Sequence, residues 1–363
     1  MRIAVFCPNL VGDTVMATPT FRALRRGFPD AKLMGVIKPQ IAATIAGNPW
    51  FDEILPFAPR SRSRQHRAWA VIRRLRRERI DLAILLPNSF RSAAMAWLGG
   101  ARRIVGYARG GRSLLLTDRL VPPQDDRGRF VPVPIVGYYL ALARHVGCQV
   151  DSLRYELATT TEDEAAADSA FHDLGISAED RLICLNQGGA FGPAKRWPDE
   201  FFAELARRLA EEDGRTCLVV CGPSEIESAR RIVELAAHPR VLSLAHQPLS
   251  IGLTKACVRR SALLITTDSG PRHFAAAFGV PVVSLFGPTH IAWTRTYHPR
   301  AIHLAKPVPC GPCQQPTCLP GHHRCMRELS PGEVLAAARQ LLGHAQGGRA
   351  TPHRATRPVV SDS

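Results

Sequence analysis

The sequence predicts an α/β protein made of two Rossmann-like, doubly wound domains facing a central cleft. Three observations carry that expectation. Short apolar, β-branched runs alternate with segments of helical period from residue 2 to residue 105, and the same alternation begins afresh at residue 182. At 363 residues the chain is also longer than one ordinary core organises. Alternating strand and helix give a parallel sheet covered on both faces, and two separate runs give two such sheets with a cleft between them.

Taken in order, strands are expected at residues 2–7, 32–37, 81–86 and 103–105, with helices such as 17–28 and 68–79 between them. Pro122-Pro123 and the charged turn 125–129 interrupt the pattern, and helices at 133–148 and 161–175 carry the chain away from the first sheet. Strands at 182–187, 216–221, 241–244, 262–267 and 281–286 follow, separated by helices of which 198–212 and 224–237 are the clearest. The division is residues 1–165 for the first domain and 176–343 for the second, which ends in a helix at 331–342. The tail 344–363 is rich in Arg, Pro, Thr and Gly, has no apolar period, and is expected to be disordered.

Hydrophobic residues make up 45% and charged residues 21%, and no run approaches eighteen uninterrupted apolar residues, so a globular chain without a spanning helix is expected. The N-terminus passes from Met1 straight into strand residues and soon meets Asp13, which reads as a cytoplasmic protein without a signal peptide. Lys and Arg number 47 against 31 Asp and Glu, and the net +16 suits a polyanionic partner: nucleic acid, an anionic membrane face or a phosphorylated substrate. Nine Arg and one Glu fall within residues 60–79, either as a docking surface or as a solvated helix face. No aromatic-interleaved basic sheet or recognition helix accompanies them, which argues against nucleic acid.

Six of the ten cysteines (Cys7, Cys148, Cys184, Cys217, Cys221, Cys257) have apolar neighbours and read as small core residues. Cys310, Cys313, Cys318 and Cys325 cluster around His322 and His323. The first pair has the spacing of a metal knuckle, so a structural zinc is one reading and reduced surface thiols the other.

The chemistry concentrates at strand ends. Residues 264–287 read as strand, tight turn, short helix and strand; Asp268 or Ser269 can cap the helix, Pro271 suits its first position and Gly279 closes it. Free amides at that helix start favour an anion such as phosphate, the alternative being a plain capped crossover. After the first strand, Val11-Gly12-Asp13-Thr14 has one glycine, so the dinucleotide fingerprint is absent. Asp13 there can act as a general base or cap the following helix. The loop 188–198 sets three glycines, among them Gly192, beside Lys195-Arg196, which makes a diphosphate cradle without a metal. Glu225, at the start of the next helix, can bond a ribose hydroxyl or complement the helix dipole.

With these residues in hand the chain resembles glycosyltransferase family 9, the heptosyltransferases of lipopolysaccharide inner-core assembly, most closely its second-heptose branch. The resemblance rests on Gly12-Asp13 with Pro19, on Leu86-Pro87-Asn88-Ser89-Phe90, on the run FGPAKRWP ending at Pro198, on Asp268-Ser269-Gly270 with His273, and on Phe286-Gly287-Pro288-Thr289. It implies a GT-B architecture and metal-independent, inverting transfer of L-glycero-D-manno-heptose from ADP-heptose onto heptosyl-Kdo2-lipid A, with no cofactor. It implies Asp13 as the base, and Lys195, Gly192, Glu225, Asp268, Ser269, Gly270 and His273 around the donor. Arg60, Arg62 and Arg64 would meet the acceptor's carboxylates and phosphates, and the remaining arginines would hold the enzyme on the anionic inner face of the inner membrane. The alternatives are another glycan acceptor within the family, or a non-catalytic basic protein. The sequence departs from the family pattern at Ala190, where an acidic residue is usual, and at Pro271-Arg272, where Leu-Met is usual.

Overall fold

The computed structural model describes residues 1–343 except Pro132 and Ala190; the tail expected to be disordered and the departure at Ala190 lie outside the described residues. The first half runs β1 (Arg2–Phe6), α1 (Val11–Met16), α2 (Thr18–Gly27), β2 (Lys32–Ile37), α3 (Pro39–Ala42), β3 (Glu53–Pro56) and α4 (Ala68–Glu78). It continues with β4 (Leu82–Leu85), α5 (Phe90–Leu98), β5 (Arg103–Tyr107), β6 (Asp118–Leu120) and α6 (Ile135–His145). The second half runs α7 (Thr161–Asp173), β7 (Leu182–Asn186), α8 (Asp199–Glu211), β8 (Thr216–Val219), α9 (Ile226–Ala236), β9 (Val241–Ser243) and α10 (Ile251–Arg260). It closes with β10 (Leu263–Thr267), α11 (Gly270–Phe278), β11 (Val282–Phe286), β12 (Ala301–Ala305), α12 (Arg324–Arg327) and α13 (Pro331–Gly343).

Each half is a six-stranded sheet whose named strands all pair in parallel, in the orders β3-β2-β1-β4-β5-β6 and β12-β11-β10-β7-β8-β9. Both are the same doubly wound order, with a switch point between β1 and β4 in the first sheet and between β7 and β10 in the second. The central strands are covered on both faces and so carry unbroken apolar runs: β4, β7, β8, β10 and β11 are buried at every residue. The edge strands β3, β6 and β12 are short and half-exposed, so no apolar run announces them, and the sequence reading missed all three.

The two helices expected to carry the chain away from the first sheet behave differently. α6 stays on the first half, against α2, whereas α7 packs on α10 of the second. α7 opens with a reciprocal cap, Thr160 Oγ1 accepting from Asp163 N–H and the Asp163 carboxylate accepting from Thr160 N–H. The crossing between halves therefore falls at residues 149–160, and buried side chains pin it. Arg22 of α2 donates to the carbonyls of Ser152 and Arg154 and pairs with Glu156 at 2.8 Å. Buried Lys255 of α10 reaches back to Ala43 O at 3.1 Å while pairing with Asp163 at 3.0 Å, so one ammonium group ties the two halves together.

Candidate active site

The two switch points face each other, and their loops line one cleft of about 710 Å³. From the first half come Gly12 and Asp13 on α1, with Pro39 and Gln40; from the second come Gly188, Lys195, Glu225, Asp268, Ser269 and Gly270. Doubly wound sheets put ligands here because the strands on either side of a switch point send their loops in opposite directions and leave a crevice. α1 packs directly on α11, and the contact is glycine-dependent on both sides. A Cβ on Gly12 would stand 2.9 Å from His273 Cδ2, and one on Gly270 would stand 3.1 Å from Val11 Cγ1.

Gly12→Ala is therefore expected to wedge the two helices apart. It should cost about 1–3 kcal/mol of overpacking and lower kcat/KM by up to about a hundredfold, because reacting groups shift by a fraction of an ångström. Alanine is the better helix former, so a loss of activity together with a lowered melting temperature isolates the contact from propensity.

Asp268 is the centre of the second-half wall, and it does not cap α11. Ser269 occupies the N-cap position and its side chain makes no capping bond either; Pro271 sits one residue inside the first helical position. These correct the capping expectation. The Ser269 hydroxyl turns instead to Asn186 Oδ1 at 2.7 Å, which also accepts from Thr266 at 3.1 Å, because Asn186 and Thr266 are register partners at the ends of β7 and β10. Asp268, 6% exposed, accepts from Lys195 Nζ at 2.7 Å and Thr289 Oγ1 at 2.7 Å, with Arg272 Nη2 3.4 Å away. Burial opposes its ionisation, but Arg272 and then Lys195 outweigh that and bring the carboxyl down to about 2.

Lys195 is aimed by its surroundings. It ends a short turn at residues 193–195, its Nζ lies 4.7 Å from the Phe191 ring, and the next anchor, Trp197, is fully buried with its indole N–H on Leu329 O at 2.9 Å. Across the cleft Asp13 has a different environment. Burial pushes its carboxyl up to about 6, the negative Asp268 adds to that, and Lys195 partly offsets it. It lies in the first turn of α1, whose N-cap Leu10 has no side-chain cap, so the capping alternative for Asp13 is not what the fold uses. His273 lines the same space, and burial with the adjacent Arg272 holds it well below the usual histidine range.

Not every expected residue faces the cleft. Gly192 lies outside its lining: its φ of 150° and a Cβ position 2.4 Å from Pro316 O mark a close backbone approach instead. Glu225 does line it, with Oε2 accepting from Gly222 N–H at 2.8 Å. Arg60 lines a second pocket of about 940 Å³ at the carboxyl end of the first sheet, with Lys38, His66 and Arg91, and that pocket shares Pro39 and Gln40 with the first; Arg62 and Arg64 do not line it. The thiols Cys310, Cys313, Cys318 and Cys325 are free, and among the described residues no three His, Cys, Asp or Glu converge as a metal-ligand set, so the zinc reading gains no support from the geometry. Sequence reasoning missed Asn186, Arg272, Thr289 and Thr294. The only available signal was a polar residue closing a buried strand, as in Asn186.

Two such sheets facing across one cleft form the GT-B architecture. The solved structure of Escherichia coli ADP-heptose lps heptosyltransferase II superposes with TM-score 0.76 at 24% identity, over 96% of this chain and 100% of that one. A glycosyl transferase family 9 structure from Veillonella parvula does so with TM-score 0.79 at 24% identity, over 94% and 97%. Among curated relatives, lipopolysaccharide heptosyltransferase 2 of Escherichia coli K12 is 27% identical over 94% of this chain and 99% of its own length. Lipopolysaccharide heptosyltransferase 1 of Pseudomonas aeruginosa is 28% identical over 88% and 87%. Residues 68–323 match Glycosyltransferase family 9 (heptosyltransferase), and the chain belongs to that family of enzymes.

Proposed function

We propose that the protein transfers L-glycero-D-manno-heptose from ADP-heptose onto heptosyl-Kdo2-lipid A, with inversion and without a metal ion. The observation that carries the reading is the opposition of Asp13, a carboxylate with a raised pKa, to Lys195 and the N-terminal amides of α11 across one cleft. Asp13 takes the proton of the acceptor hydroxyl as the new bond to the anomeric carbon forms on one face. The bond to ADP breaks on the other face, and its electron pair passes to the diphosphate, where Lys195, Ser269, Gly270 and the α11 amides receive the charge. Glu225 is assigned to the ribose. Asp268 and His273 border the donor sugar.

The acceptor half ends at the crossing 149–160, and the donor half begins with α7. The pocket of Lys38, Arg60, His66 and Arg91 suits carboxylates and phosphates of a lipid A-linked oligosaccharide. Among the described residues no helix is long and apolar enough to cross a membrane. The Arg-rich α4 with exposed Trp69 is assigned to peripheral contact with an anionic inner-membrane surface.

The deciding assay mixes the enzyme, ADP-heptose and heptosyl-Kdo2-lipid A in the presence of EDTA and weighs the product. A gain of one heptose supports the reading. No turnover with this acceptor redirects it to another glycan of the same family, and loss of turnover with EDTA removes the metal-independent part.

A further inference from the structure

Two cations share the Asp268 carboxylate, and they differ in what else they can reach. Lys195 lines the cleft, one end of its environment open to ligand. Arg272 does not line it: the side chain is wholly buried beneath α11, its guanidinium 4.9 Å from the Phe286 ring centre and its Nη2 donating to Thr294 O at 2.6 Å. Its Nε and Nη1 find no acceptor among the described residues. A buried guanidinium with two unsatisfied donors is costly, so hydrogen bonding does not account for its place. Its charge does, because the nearest carboxylate is Asp268, one helical turn back at 3.4 Å.

The argument rests on the reading of Lys195 as a diphosphate ligand. To bind a diphosphate, Lys195 must loosen its 2.7 Å pair with Asp268. A lone counter-ion would not exchange easily, since its departure would strand a buried carboxylate. We propose that Arg272 is a positioning residue, a fixed counter-ion that keeps Asp268 neutralised while Lys195 moves to the donor's diphosphate. Lys195 is then shared between two anions, one resident and one arriving, and Arg272 sets how readily it transfers.

The experiment is calorimetric titration of the full chain with ADP. Arg272→Met removes the charge at similar length; Lys195 is then held by Asp268 for most of the time, and ADP affinity is expected to fall about tenfold, in proportion to the competent fraction. Arg272→Lys should recover most of the affinity. Adding Asp268→Asn to Arg272→Met removes the anion that holds Lys195, and the Kd should return to within about threefold of wild type. A merely structural role for Arg272 would not be repaired in this way, so a double variant as weak as Arg272→Met overturns the proposal, as does an unchanged Kd in Arg272→Met. Should Arg272→Met not fold, Asp268→Asn alone decides: affinity equal to or above wild type supports the exchange, and a tenfold loss overturns it. Lys195→Ala in the same series separates the two readings, because an unchanged Kd there removes the Lys195 assignment itself.

Discussion

Asp13→Asn is expected to lower kcat/KM by about 10²–10⁴-fold without weakening ADP binding, the loss typical of a removed general base. The wild-type pH profile should carry the same signature. Because burial holds the Asp13 carboxyl near 6, kcat/KM should rise with pH through that value and level off above it. The groups facing Asp13 do not blur this limb. Asp268 is held at about 2 and stays ionised, and His273 lies well below its usual range and stays neutral. Buried Tyr139, raised well above the usual tyrosine range by burial and by Asp13, stays protonated.

The same raised pKa has a consequence for stability. The folded value lies above the ordinary 3.8, so the contribution of Asp13 is fully present below about pH 4 and is lost as pH rises through 6. Near pH 8 the buried, ionised carboxylate costs about 3 kcal/mol, and the neutral Asn variant should melt at a higher temperature than wild type there and lose that advantage near pH 4. An inactive variant that is also more stable at alkaline pH marks a group kept strained for chemistry. Full activity in Asp13→Asn would remove Asp13 as the base.

Lys195→Ala has the second-largest expected effect. A charge-assisted bond to a phosphate is worth about 1.5–3 kcal/mol, so the calorimetric Kd for ADP should rise about 10- to 100-fold. Folding should suffer less, because Arg272 remains beside Asp268 after the lysine is gone and the carboxylate keeps a counter-ion. A melting temperature lowered by only a few degrees, together with lost ADP affinity, would divide the two cations into a ligand-facing one and a structural one. Unchanged affinity would sink the assignment.

How much of this was legible beforehand depends on how local the cause is. The central strands were read to within one or two residues because a strand buried on both faces needs an unbroken apolar run, as in the LICLN of β7 and the VVSLF of β11. The edge strands β3, β6 and β12 owe their existence to a neighbour already in place, so their own residues carried no signal. The catalytic candidates Asp13 and Lys195 were visible because glycine and charge at the end of a predicted strand are a local pattern.

The sequence alone determined the class of fold and the loops that would hold the chemistry. What Asp268 does was decided by the tertiary structure. Its two possible local roles, cap and ligand contact, were indistinguishable along the chain, and the folded molecule makes it the shared partner of Lys195, Arg272 and Thr289. Lys195 arrives from a loop 73 positions away, and the balance of burial against two opposing charges exists only once β7 and β10 lie side by side. Likewise no pattern in the sequence reports that Gly12 and His273 meet across the cleft. Local propensity writes the elements, but charge pairing and desolvation depend on distances that only packing sets.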